Sequence, residues 1–179
     1  MTNEWNSIQD IEEAKKKICS GYVGNKKFTA NFDLVTLVRG PIVLDFGGGI
    51  GRNTSLLVNL GHDVYFYDYS NMVELAKQNI DSDLIENIFW LEYGKIDLKD
   101  FYFDSVLASL VFQHIPKLEL EQILQELNCD QLVMHSRGYL DDHKHNIWPI
   151  VLKEFTPITE LDAEAGTEKH QIVIFKKRI

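Results

Sequence analysis

Four glycines and an aspartate fall within seven residues of the chain: Asp45, Gly47, Gly48, Gly49 and Gly51, in the run VLDFGGGIG over residues 43–51. Glycines spaced in this way let a backbone turn sharply through positive φ and let a ligand come close to the main chain. The chemistry such a turn supports depends on spacing. A dinucleotide fingerprint G-x-G-x-x-G begun at Gly47 requires glycine where Arg52 stands, and begun at Gly49 it requires glycine where Thr54 stands. A phosphate loop of the form G-x-x-x-x-G-K-[ST] is missing as well. What fits is D-x-G-x-G-x-G, met by Asp45, Gly47, Gly49 and Gly51. An isolated glycine cluster can be a tight turn and nothing more, so its context decides.

The context is a strand before the turn and a helix after it. Ile42–Phe46 is a short apolar run with strand character, and Leu56, Leu57 and Leu60 mark the helix, which Gly61 is placed to end. From there strands and helices alternate. Strands are expected at 63–67, 87–91, 105–111 and 131–135. A helix capped by Ser70 carries Met72, Leu75, Ala76 and Ile80 on one face, and another carries Leu118, Leu120, Ile123, Leu124 and Leu127. A short helix near Trp148–Phe155 leads to two last strands, 157–161 and 171–176, with Gly166 in the turn between them. This order predicts an α/β fold: a Rossmann-like, doubly wound, mostly parallel seven-stranded sheet with a C-terminal antiparallel hairpin and N-terminal helices. Of those helices, the first places Ile8, Ile11, Ala14 and Ile18 on one face with Asn6 or Ser7 as cap. The second runs from about Thr29 to Val38, past the punctuating Gly21 and Gly24. Residues 1–40 are expected to cap the same domain that 41–179 build.

At these residues the sequence resembles the class I S-adenosylmethionine-dependent methyltransferases, over about residues 41–177. The resemblance implies that the turn of Gly47, Gly48, Gly49 and Gly51 contacts the amino-acid and ribose parts of S-adenosylmethionine, and that Asp45 helps place the methionine ammonium, directly or through water. S-adenosylhomocysteine would be the product. Asp68, which ends the second strand about 20 residues after the turn, matches the acid that accepts hydrogen bonds from both ribose hydroxyls, with Tyr69 beside it; a strand-end acid capping the next helix is the plainer alternative. FDSVLASLVFQHIP, residues 103–116, resembles the family's fourth strand and following loop, which puts Ser109 and Leu110 against the cofactor. The family's adenine-binding acid after the third strand is replaced by Tyr93, Gly94 and Lys95. Backbone groups around Lys95 and Ile96, or Asp97, are left to take its place.

Methyl transfer from a sulfonium needs chiefly alignment and exclusion of water, and a general base only where the acceptor carries a proton at working pH. His114, in the loop after the fourth strand, is the candidate base or substrate contact, with a structural role capping the loop or the next helix as the alternative. His135 and Arg137 follow the fifth strand and either meet an acidic substrate or stand as solvated loop residues. Asp141, Asp142, His143 and His145 share one polar loop without metal-ligand spacing, and no metal is expected. Tyr22 and Phe28 are candidates for a lid.

The 179 residues suit one domain. Apolar residues at 45% and charged residues at 25% describe an ordinary globular chain, and no apolar run nears the roughly 20 residues of a membrane span, so a membrane role is not expected. The polar, acidic start MTNEWNSIQDIEE resembles no targeting segment, which makes the cytoplasm the default location. Cys19 and Cys129 are too few and too distant for a disulfide framework. A net charge of −9 disfavours nucleic acid as partner. The motifs of DNA amino-group and cytosine-carbon methylators are absent, as are the carboxylates that a catechol-type metal site would want at 109 and 135. Aminopropyl transferases, which resemble G-G-G-D-G where this chain has Ile50, and nicotinamide oxidoreductases fit less well. The expectation is transfer to a small molecule, with a protein side chain second and a partner subunit or homodimer open. A cofactor-binding accessory module without catalysis is the alternative.

Overall fold

The computed structural model describes residues 3–19, 34–137, 147–165 and 168–178. Its centre is one seven-stranded sheet. In chain order the strands are β1 (Ile42–Phe46), β2 (Asp63–Asp68), β3 (Ile88–Glu92), β4 (Phe103–Ser109), β5 (Cys129–Arg137), β6 (Phe155–Ala165) and β7 (Glu168–Lys177). In space they run β3-β2-β1-β4-β5-β7-β6. The first five are parallel, and β7 enters antiparallel between β5 and β6. The helices are α1 (Asn3–Asn6), α2 (Ile11–Cys19), α3 (Arg52–Asn59), α4 (Ser70–Asn79), α5 (Ser82–Ile85), α6 (Lys117–Glu126) and α7 (Trp148–Glu154). The expected α/β architecture, including the antiparallel hairpin, is the observed one.

The central strands are mostly apolar, as suits a sheet covered by helices on both faces. On one face Leu44, Phe46, Val106, Ala108, Leu132, Met134, Val173 and Phe175 meet Leu120 and Leu124 of α6 and Trp148 and Val151 of α7. On the other, Val43, Val64, Leu107, Val133 and Ile172 meet Leu57 of α3 together with Leu34, Val35 and Val38. Phe66 and Ile88 receive Val73 and Ala76 from α4 and Ile80 just after it. Ile8 and Ala14 from the N-terminal segment pack on Tyr69, Met72, Leu75 and Ile50, and the Asn71 side-chain amide donates to the carbonyls of Trp5 (2.8 Å) and Ile8 (2.7 Å).

Three local expectations are corrected. The helix carrying Ala14 is capped by Asp10, whose Oδ1 accepts from the N–H groups of Glu12 (2.7 Å) and Glu13 (3.1 Å); Asn6 belongs to the separate α1. An aspartate side chain reaches free amides of the first turn as well as a serine does. Ser70 does not cap α4: it is the first helical residue, Tyr69 holds the cap position without a side-chain bond, and the Ser70 hydroxyl donates to Glu92. The last two strands are longer than their apolar residues announced. Gly61 does follow the end of α3, with its N–H on the Val58 carbonyl and the N–H of His62 on that of Leu57. Tyr22, Phe28, most of the expected second helix, the Asp141–His145 group and Gly166 lie outside the described residues. Among the described residues no helix is long and apolar enough to cross a membrane.

The winding fixes where a ligand belongs. The chain proceeds outward from β1 through β2 to β3, then crosses to the other side of β1 for β4 and β5. The crevice beyond the carboxyl ends of β1 and β4, where the winding reverses, is the binding position of open sheets.

Candidate active site at the switch point

The glycine turn occupies that crevice. Gly47, Gly49 and Gly51 have φ of +68°, +62° and +79°, a region that a side chain would strain. A Cβ on Gly47 would stand 2.3 Å from Val111 Cγ2, one on Gly48 2.4 Å from the Phe66 ring, and one on Gly51 2.3 Å from Ile80 Cδ1. At those three positions the chain itself fills the space a side chain would need. Their first task is thus to let neighbouring segments close on the turn.

Asp68 ties the second strand to this turn. Its Oδ2 accepts from the Gly49 N–H at 2.9 Å and its Oδ1 from the Tyr69 N–H at 2.7 Å. The residue is 6% exposed. Burial pushes its carboxyl up to about 7, the two backbone bonds oppose this, and the charge of Asp45 adds to it. A carboxylate has about four acceptor positions, so each oxygen keeps one after the backbone is served. Two adjacent acceptors on a fixed plane match a vicinal diol, so the residues present fit the ribose of the expected cofactor.

Asp45 is deeper, at 1% exposure, and its Oδ2 accepts from the hydroxyl of Thr54 at 2.6 Å. Burial raises it to about 6, while the side-chain and backbone bonds from Thr54 and the charge of Arg52 pull it down. Thr54 was not singled out from sequence; nine residues separate it from Asp45, and only the turn brings them together. Replacing Thr54 by Val removes the hydroxyl and raises Asp45 further. Stability is expected to fall by about 1–3 kcal/mol at pH 8, where the buried carboxylate is ionised. The deficit shrinks at pH 5, where Asp45 holds its proton, and denaturant unfolding at the two pH values reads the difference. An equal deficit at both would show that the hydroxyl does not serve the charge.

The other sequence-derived residues take distinct places. Ser109 ends β4, and Leu110 follows at φ +56°, with its N–H on the His135 carbonyl at 2.8 Å. Tyr69 is buried beside Tyr93, ring centroids 5.2 Å apart. Lys95 and Ile96 line a cavity of about 370 Å³ with Tyr67, Tyr93, Asp97 and Glu119; Tyr93 bonds Glu119 through its hydroxyl. Lys95 Nζ pairs with Glu92 at 2.6 Å, and Asp97 is held by Lys99 and accepts the Lys99 N–H, so its carboxylate caps the short 3-10 turn at Leu98–Asp100. His114 sits in a 3-10 turn after β4, its ring edge-on to Trp5 of α1 at 5.6 Å. His135 is corrected most clearly. It is a strand residue at 2% exposure, not a solvated loop residue, and it is bonded to Ser109 and to His170, which sequence reading did not flag.

Fold and site together define a nucleotide-like cofactor crevice with an acid at the end of β2. Residues 44–133 match the methyltransferase domain family, and the chain belongs to it. Its fold is that of the S-adenosylmethionine-dependent class I enzymes. A TehB-like methyltransferase of Corynebacterium glutamicum superposes with a TM-score of 0.67 at 16% identity, over 94% of this chain and 98% of that one. The magnesium protoporphyrin IX methyltransferase of Synechocystis with bound S-adenosylmethionine gives 0.66 at 18%, over 98% and 89%. The N-methyltransferase NodS of Bradyrhizobium japonicum, in complex with S-adenosylhomocysteine, gives 0.65 at 13%, over 93% and 99%. No curated protein matches the sequence.

Proposed function

We propose that this chain transfers a methyl group from S-adenosylmethionine to a small-molecule acceptor. The observation that carries the reading is the Asp68 carboxylate, clamped by the Gly49 N–H onto the glycine turn at the switch point. In this reading Asp68 takes the ribose hydroxyls with Tyr69 against the base. Asp45 and the backbone of Gly47, Gly48, Gly49 and Gly51 hold the amino-acid end. Lys95 and Ile96 border the adenine, and Ser109 and Leu110 close the floor. The cofactor supplies a methyl carbon already activated on a sulfonium, so the protein's share is alignment and dryness. Residues 3–19 act as a cap, since Trp5 reaches His114, and His114 meets the acceptor.

A small acceptor is favoured because the chain is nearly coextensive with neighbours whose named substrates include a porphyrin. Two measurements test the reading. Calorimetric titration with S-adenosylmethionine and S-adenosylhomocysteine is expected to give saturable one-site binding. Labelled methyl groups are then expected to appear in small-molecule fractions of a metabolite extract and not in its proteins. Absence of binding by the folded chain overturns the cofactor site, and label confined to protein overturns the acceptor class. Binding with no transfer makes the chain a cofactor-binding module.

A further inference from the structure

At the carboxyl ends of β4 and β5 three side chains form a continuous hydrogen-bonded line. Ser109 Oγ lies 3.1 Å from His135 Nδ1, and His135 Nε2 lies 2.9 Å from His170 Nδ1. Both imidazoles are buried, at 2% and 3% exposure, whereas Ser109 is only half-buried. The parallel register sets Ser109 opposite His135, and it pairs Ala108 with Phe46, so Ser109 stands beside Gly47, the first residue of the glycine turn. One end of the line is therefore at the crevice and the other is two strands away, on β7.

Packing does not ask for this arrangement. Leu107, Val133 and Ile172 fill the same face with apolar side chains, and burying two imidazoles and a hydroxyl costs free energy unless each bond is made. We propose that Ser109, His135 and His170 form a proton relay that receives the proton of a hydroxyl-bearing methyl acceptor. This rests on the methyltransferase reading above and narrows its acceptor to an alcohol or phenol.

His135 enters the relay neutral, and the proposed transfer takes His170 in its neutral form. Burial, reinforced by His170 and Arg52, lowers His135 to about 3, so it carries one ring proton across the working range. Two polarities remain: the His135 proton is on Nε2 and points to His170, or it is on Nδ1 and points to Ser109. The relay requires the first of these, Nε2–H on His135. In that polarity the Ser109 hydroxyl donates to Nδ1 and its lone pairs face the crevice, ready to accept.

The step balances. The acceptor O–H bond breaks as its oxygen bonds the methyl carbon, and the carbon–sulfur bond breaks with its electrons left on sulfur. The acceptor proton passes to Ser109 Oγ, the Ser109 proton to His135 Nδ1, and the His135 Nε2 proton to His170 Nδ1. One positive charge leaves the sulfonium and one appears on His170, so no net charge is created. Ser109 touches the acceptor; His135 and His170 act through it.

The test has one arm that needs neither cofactor nor acceptor. Ring-nitrogen NMR of the full, ligand-free chain is expected to show His135 protonated at Nε2 with Nδ1 bare. The Nδ1–H tautomer overturns the relay, because Ser109 would then have nowhere to send its proton. The second arm compares labelled methyl transfer to phenol and to thiophenol, whose thiolate carries no proton to remove at pH 8. His135→Gln and His170→Gln are expected to lower the phenol-to-thiophenol rate ratio at least tenfold, with most of the loss in kcat. A ratio that stays constant while both rates fall overturns the relay in favour of a structural role. Failure of the wild-type chain to bind S-adenosylmethionine would strike the cofactor reading instead, and is seen separately by calorimetry.

Discussion

The affinity of the chain for S-adenosylhomocysteine is expected to rise about 30-fold between pH 5.5 and pH 8 and then to level off, if one carboxyl titrating near 7 must ionise to bind. In the proposed reading Asp68 is that carboxyl. It is raised to about 7 chiefly by burial, despite the two backbone N–H groups it accepts. The sign follows from what each state prefers. In the ligand-free chain the raised value means that the folded state holds its proton longer than the unfolded one. The group's stabilisation is therefore full below about pH 4 and is lost as pH rises through about 7. A diol donating into both oxygens prefers the ionised form, so binding releases a proton below pH 7 and tightens as pH climbs. Asp45, raised to about 6, adds to the lower part of the same rise.

Asp68→Asn separates the roles. One amide oxygen cannot accept from both the Gly49 and the Tyr69 N–H groups, and no charge remains for the ribose. Binding at pH 8 is expected to weaken by about 10–100-fold, the value of one or two charge-assisted hydrogen bonds. The dependence on pH between 6.5 and 8 is expected to vanish. Calorimetry at four pH values reads both. A wild-type affinity that is flat or that falls toward pH 8 would remove Asp68 from the site.

Gly47→Ala is expected to cost about 2–4 kcal/mol, a fall in Tm of roughly 5–15 °C for a chain of this size. Two penalties add. The backbone at φ +68° is strained for any residue with a Cβ, and that Cβ arrives 2.3 Å from Val111 Cγ2 and 2.8 Å from Val111 Cβ. Adding Val111→Ala removes the nearer contact and is expected to recover part of the loss, while the backbone strain stays. Thermal unfolding of both proteins decides it. A Gly47→Ala chain as stable as wild type would mean that the turn relaxes, and that its glycine serves ligand approach alone.

The sheet was legible in the sequence because its inner strands are buried on both faces. IVLDF, DVYFYD and FDSVLAS announce themselves by apolar content alone. Boundaries failed where side chains and pairing disagree. β6 is exposed from Thr156 through Asp162, so no alternation marks it, yet its backbone continues to Ala165 against β7. In the site, Asp45, the glycines and Asp68 were readable because one local turn and one strand end define them. Thr54 and His170 were not. Thr54 meets Asp45 only after α3 begins, and His170 meets His135 across 35 residues through the antiparallel register of β5 and β7. No local pattern encodes a partner that distant. The expectation of a solvated His135 failed for the same reason, since the strand that buries it comes later in the chain.

Among the described residues β6 has a neighbouring strand on one side only, so its other side is open to another chain. Unprotected edges of this kind seed aggregation. This one carries Pro157, a register shift between Pro157 and Thr159, and the exposed acids Glu160 and Asp162. A proline cannot donate to an incoming strand, the irregularity breaks the flat edge, and two like charges repel a second copy of themselves. The safeguard is electrostatic in large part, so it depends on salt. At about 1 M ionic strength such charges are screened beyond roughly 3 Å, and the chain keeps its proline and its irregular register but loses most of its repulsion. High salt thus favours pairing at this edge, and dilute buffer keeps the repulsion in place.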